Sequence, residues 1–98
     1  MIKVARYAGG AIMIAGHANY AERGKDIVCA AVSALWQTLI VSLERLTNDK
    51  IEYNNAPGTA SVKYNAKDLS EQAQLLIRSF FVGVSEIAEA YPEHVKIV

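Results

Sequence analysis

Apolar positions recur along this chain with two different periods, and the switches between them mark its elements. Residues 2–7 and 11–15 are two short runs suited to strands, and the Gly9-Gly10 pair between them fits a tight hairpin turn. Residues 18–24 are polar, follow neither period and end in glycine, so they read as a loop. Val28, Val32, Leu35, Leu39, Leu43 and Leu46 then recur at three- and four-residue steps, the stripe of an amphipathic helix, with Asp26 placed to cap its start. Residues 51–54 and 60–64 flank Asn55-Ala56-Pro57-Gly58, a turn cluster that predicts a second hairpin. A second helical stripe runs through Leu69, Ala73, Leu76, Phe80, Val84, Ile87 and Tyr91. Asp68 and Glu71 have capping-box spacing at its start, and Pro92 stops it. Residues 94–98 alternate enough for a final strand. The order β-β-α-β-β-α-β predicts an α+β fold with two helices on one face of a mainly antiparallel sheet. At 98 residues the chain is expected to be a single domain, residues 1–98.

Composition narrows the function classes. A hydrophobic share of 52% against 20% charged is enough to build a core and excludes a disordered chain. Ten basic and ten acidic residues balance to zero, which argues against direct nucleic-acid binding, since phosphate recognition usually brings a basic excess. One cysteine permits no internal disulfide and falls short of a structural zinc site, so no metal is expected and a reducing compartment, the cytoplasm, is the natural home. The first seven residues lack the positive head and apolar run of a secretory signal. The most apolar segment, residues 27–46, carries Ser33, Gln37, Ser42, Glu44 and Arg45 and reads as a buried helix of a soluble protein, not as a membrane span. No Gly-rich phosphate loop is present, and no cofactor is expected.

Two stretches are chemically loaded, and they bracket one loop: Gly16-His17-Ala18 at a strand end, and Gly24-Lys25-Asp26-Ile27-Val28-Cys29-Ala30-Ala31-Val32-Ser33 at a helix start. With Asp26 as N-cap, Cys29 falls in the first helical turn, where unpaired backbone N–H groups and the helix dipole favour negative charge on the sulfur. His17 could take the thiol proton and return it to a leaving amine, the minimal arrangement for attack on an acyl carbon. Each residue also has a plainer reading. A lone helical cysteine is more often a small buried hydrophobe, and a strand-end histidine often just bonds a loop. Asp26 is accounted for by capping alone, and orienting His17 or touching substrate is the alternative. Ser33 shares a helical face with Cys29, although a helix serine commonly bonds back to a carbonyl. His94 reads as a surface residue, and Trp36, Phe80 and Phe81 as core.

The string Gly16-His17-Ala18, Gly24, Asp26-Ile27-Val28-Cys29-Ala30-Ala31-Val32-Ser33 resembles the signature of the ribosomal-processing cysteine proteases, the Prp family. The likeness continues through Glu71-Gln72-Ala73-Gln74-Leu75-Leu76-Ile77-Arg78 and Glu86-Ile87-Ala88-Glu89-Ala90-Tyr91-Pro92. It implies a catalytic dyad of His17 and Cys29, with Asp26 and Ser33 in support. It further implies a homodimeric endopeptidase that removes the N-terminal extension of precursor large-subunit ribosomal protein twenty-seven, cutting after a Phe-Ala pair. The mobile substrate loop would be residues 18–24, with Asn19, Tyr20, Glu22, Arg23 and Gly24 tuning substrate choice. Backbone N–H groups at Cys29 and around Gly16 could hold the oxyanion. Members of the family also occur in phage genomes, where a phage structural protein would be the target. The competing readings are a noncatalytic module that binds a peptide or ribosomal surface, and a redox-sensing thiol.

Overall fold

A computed structural model describes residues 1–98. The chain runs β1 (Ile2–Tyr7), β2 (Ala11–Ala15), α1 (Ile27–Leu46), β3 (Ile51–Ala56), β4 (Thr59–Tyr64), α2 (Glu71–Ala90) and β5 (Val95–Ile97). The element order is the one the periodicity predicts. One five-stranded sheet has the spatial order β3-β4-β2-β1-β5. Three of its pairings are antiparallel, and β1 pairs with β5 in parallel. The parallel pair arises because β4 and β5 run in the same direction, so α2 must carry the chain back across the sheet.

Side-chain alternation separates the two sheet faces. Ile2 and Val4 of β1, Ile12 of β2, Val62 of β4 and Val95 of β5 point to one face and are buried with Val28, Val32, Leu39, Ile40 and Leu43 of α1 and Ala73, Ile77, Phe80 and Val84 of α2. Trp36 stacks edge-on against Phe80 at 5.9 Å between ring centroids. No buried side-chain polar atom lacks a partner, so this core carries no uncompensated desolvation. Helix α1 is long and apolar enough by composition to cross a membrane, yet its apolar stripe is what this core consumes.

Several details differ from the sequence expectation. Leu46 ends the stripe of α1 but is 67% exposed, because the helix stops there and Thr47 turns back, its Oγ1 donating to the Leu43 carbonyl at 2.7 Å. The cap of α2 is Ser70, not Asp68: Ser70 Oγ accepts from the Ala73 N–H at 3.1 Å, and Asp49 accepts from both the Ser70 hydroxyl and its N–H. Hydrogen bonding by Ser70 holds the Asp49 carboxyl below its ordinary pKa. Asp68 instead accepts from Asn65 Nδ2 at 3.1 Å within the preceding turn. The second hairpin also closes more tightly than expected, with pairing out to Ala56 and Thr59 and only Pro57-Gly58 left as the turn.

The first hairpin depends on one glycine. Gly10 has φ +117°, and a Cβ there would run into the backbone carbonyl of Tyr64, whose own N–H donates to the Gly10 carbonyl at 2.9 Å. Gly9 beside it has open space around the same position. Gly10→Ala is therefore expected to lose more than about 2 kcal/mol in urea unfolding, while Gly9→Ala stays within about 1 kcal/mol of the parent. Equal midpoints for the two variants would contradict this account of the turn.

Candidate active site

The site forms at the end of the sheet where five element ends meet. β2 finishes at Ala15, opposite Thr59 at the start of β4, and the Gly16 N–H donates to the Gly58 carbonyl at 2.8 Å. That bond sets His17 beside the Pro57-Gly58 turn, with Nε2 3.1 Å from where a Cβ on Gly58 would stand. Gly16 itself has φ +96°, and a Cβ there would strike the Met1 carbonyl, so this crossing requires glycine. The N-terminus of α1 points at the same end, and β1 and β5 begin there.

Asp26 joins the loop to the helix. Its Oδ1 accepts from the N–H groups of Val28 and Cys29, both at 3.0 Å, which caps α1 as the sequence predicts. Its Oδ2 accepts from Tyr20 N–H at 3.0 Å and Ala21 N–H at 3.4 Å. These backbone donors, Cys29 foremost, hold the carboxyl below its ordinary pKa.

Cys29 is half-buried in the first turn, where its Sγ accepts from the Ala18 N–H at 3.3 Å. Sulfur lies between two hollows. One, of about 330 Å³, is walled by Ile14, Val32, Trp36, Asn55 and Ala60. The other, of about 780 Å³, is walled by Asn19, Arg23, Gly24, Asp26 and Pro57. His17, Cys29 and Ser33 are the only residues that line both. A broader depression of about 870 Å³, bordered by Glu44, Asp49, Lys50, Glu52 and Lys63, holds no nucleophile and lies away from this end.

The structure thus brings His17, Cys29, Ser33, Asp26 and Gly16 together. Of the expected loop residues, Asn19, Arg23 and Gly24 face the larger hollow, while Tyr20 turns away to pack edge-on against Tyr91 at 5.3 Å and His94 at 5.4 Å between centroids. Glu22 also lies outside both hollows and pairs with Lys25 at 3.0 Å on an exposed surface, a contact worth little. The expected oxyanion donors need correction. The Cys29 N–H is taken by Asp26 and the Gly16 N–H by Gly58, so neither is free to receive an oxyanion. Asn55 went unnoticed as a site residue: it lines the smaller hollow, and its Oδ1 accepts from Trp36 Nε1 at 3.0 Å.

A half-buried thiol on a helix N-terminus, beside a histidine and between two peptide-sized depressions, is the arrangement of a thiol hydrolase. The chain belongs to the family described as cysteine protease Prp, whose model matches residues 1–96. It is 33% identical over 82 residues to the ribosomal processing cysteine protease Prp of Mycoplasma genitalium, covering 84% of this chain and 80% of that protein. Its counterpart in Staphylococcus aureus is 28% identical over 88 residues, 88% of this chain and 82% of that one. Among solved structures, the S. aureus protease in complex with a covalently linked product peptide superposes with a TM-score of 0.90 at 27% identity, covering 99% and 97% of the two chains. A Streptococcus mutans protein superposes with a TM-score of 0.79 at 32% identity over 98% and 92%. The protein is a cysteine protease of the ribosomal-processing family.

The Asp26 contacts set a pH dependence. Its folded-state pKa lies below the unfolded one, so its contribution is complete above the ordinary carboxylate range and is lost as pH falls through the folded value. Replacement by Asn, which accepts through one oxygen only, should remove part of the acid-side fall in melting temperature. Parallel Tm-against-pH curves for the parent and Asp26→Asn would show that the carboxylate does not tie the loop.

Proposed function

We propose that Cys29 and His17 form the catalytic dyad of a sequence-specific endopeptidase acting on the N-terminal extension of large-subunit ribosomal protein twenty-seven. The observation that carries this reading is the place of Cys29, His17 and Ser33 on the saddle between the two hollows. An extended peptide lying through both would present its scissile carbonyl to the sulfur. His17 takes the Cys29 proton; Sγ bonds to the carbonyl carbon, the C–N bond breaks, and the departing amine receives that proton from His17. Water, deprotonated by the same imidazole, then hydrolyses the thioester and restores the thiol. The Ala18 N–H steadies the sulfur anion before attack and again when it is expelled.

Asp26 holds the loop rather than the histidine, and Ser33 offers its hydroxyl at the saddle. Asn55 is the side chain placed to donate to the oxyanion in place of the occupied backbone groups. The smaller hollow, floored by Ile14, Val32 and Trp36, suits an apolar side chain next to the cut, in keeping with a Phe-Ala recognition pair. The substrate follows the names of the relatives, which are ribosomal processing proteases. The reading places the enzyme in the reducing cytoplasm, where a lone thiol stays free. A homodimer is part of it on family resemblance alone.

Incubation with ribosomal and phage precursor proteins, followed by mass measurement of the new N-terminus, tests this. A ribosomal cut is expected, and cleavage of the phage precursor alone would reassign the substrate. Cys29→Ala and His17→Ala should each lower turnover by about 10³-fold or more with the fold intact. Turnover retained in Cys29→Ala would remove Cys29 as the nucleophile, and peptide binding without any cleavage by the parent would favour a binding module.

A further inference from the structure

His94 lies 76 residues from Ala18 in sequence, yet its Nδ1 is 2.8 Å from the Ala18 carbonyl oxygen. A carbonyl can only accept, so Nδ1 carries the hydrogen. The His94 backbone is pinned on both sides: its N–H donates to the Tyr91 carbonyl at 2.9 Å, and its carbonyl accepts from the Ile2 N–H at 2.8 Å. Tyr20 packs its ring edge-on against the imidazole, with centroids 5.4 Å apart.

Ala18 is the residue these contacts serve. It is 1% exposed, its carbonyl is held by His94, and its N–H is the donor to Cys29 Sγ. Asp26 anchors the loop only from Tyr20 onward, so apart from the weak N–H to sulfur bond the side-chain tie on Ala18 is His94. His17 is the next residue back along the chain. His94 itself lines neither hollow beside the thiol.

We propose that His94 is a positioning residue for the cysteine site: its Nδ1–H fixes Ala18, which keeps one backbone donor on Cys29 Sγ and sets His17 at the mouth of the same cleft. Loss of that donor leaves a buried carbonyl unpaired and lets Ala18 shift, so the thiol loses its partner while the peptide-binding surfaces are untouched. The effect falls on kcat and not on KM. The proposal rests on the reading of Cys29 as nucleophile.

The test compares His94→Asn, whose Nδ2 stands where Nδ1 stood, with His94→Asp, which has the same shape and no donor in its ionised form. His94→Leu, with the branched shape of Asn and no donor, is a second nondonor should the Asp variant not fold. Two rates are read on folded protein: alkylation of Cys29 by iodoacetamide, and kcat and KM on the precursor peptide. The Asn variant should stay within about 3-fold of the parent, and the Asp and Leu variants should fall about 10-fold or more in both rates with KM unchanged. Equal rates in the Asn variant and the nondonor variants, whether fast or slow, would overturn the proposal, as would a loss expressed only in KM. Failure of the nucleophile reading shows separately, as cleavage that persists in Cys29→Ala, because the alkylation comparison needs only the thiol.

Discussion

Four backbone N–H groups from two separate segments converge on the carboxylate of Asp26, two from the first turn of α1 and two from the loop that follows β2. An Asp in this position would cap a helix in any protein, but here its second oxygen reaches across to the loop. The start of α1 and the middle of the loop, Tyr20 and Ala21, are thereby tied together by a single side chain. A carboxylate that accepts several N–H bonds is favoured in its ionised form.

The fold supplies what this joint needs. A buried apolar core fixes the strand ends and the helix axis, so the Gly16–Gly58 bond and the start of α1 meet at one end of the sheet. Reactive groups then sit on short, lightly held segments attached to rigid elements, a division common to sites that must admit a peptide. The two hollows on either side of the thiol follow from the same geometry: the β3–β4 turn walls one flank and the loop the other. The C-terminal segment closes the arrangement from behind, with Tyr91 and His94 packed on Tyr20.

Much of this was legible in the residues. Period together with turn and capping residues placed both helices and both hairpins, and the Asp26 cap with Cys29 three residues on was visible as a local pattern. What escaped was nonlocal. Ser70 caps α2 with the help of Asp49, 21 residues earlier, a pairing that no capping-box spacing encodes. The parallel β1–β5 pair depends on where α2 delivers the chain. The Cys29 and Gly16 N–H groups looked available for an oxyanion, because nothing in the string says that Oδ1 of Asp26 and the Gly58 carbonyl already occupy them. His94 read as a surface residue for the same reason: its partner is brought to it only by the finished sheet. Tyr20, polar-tipped and in a loop, read as a substrate-loop residue, and nothing local in the string signals its packing on Tyr91 and His94.

The central claim is that Cys29 Sγ becomes acylated by the peptide it cuts. Acid quenching of the protein within its first turnover on the precursor, followed by mass analysis of the fragment that holds Cys29, measures this directly. The account predicts a transient thioester whose added mass equals that of the released N-terminal extension less one water, formed and lost at rates matching turnover. Cleavage that proceeds at full rate with Cys29 never modified would contradict it.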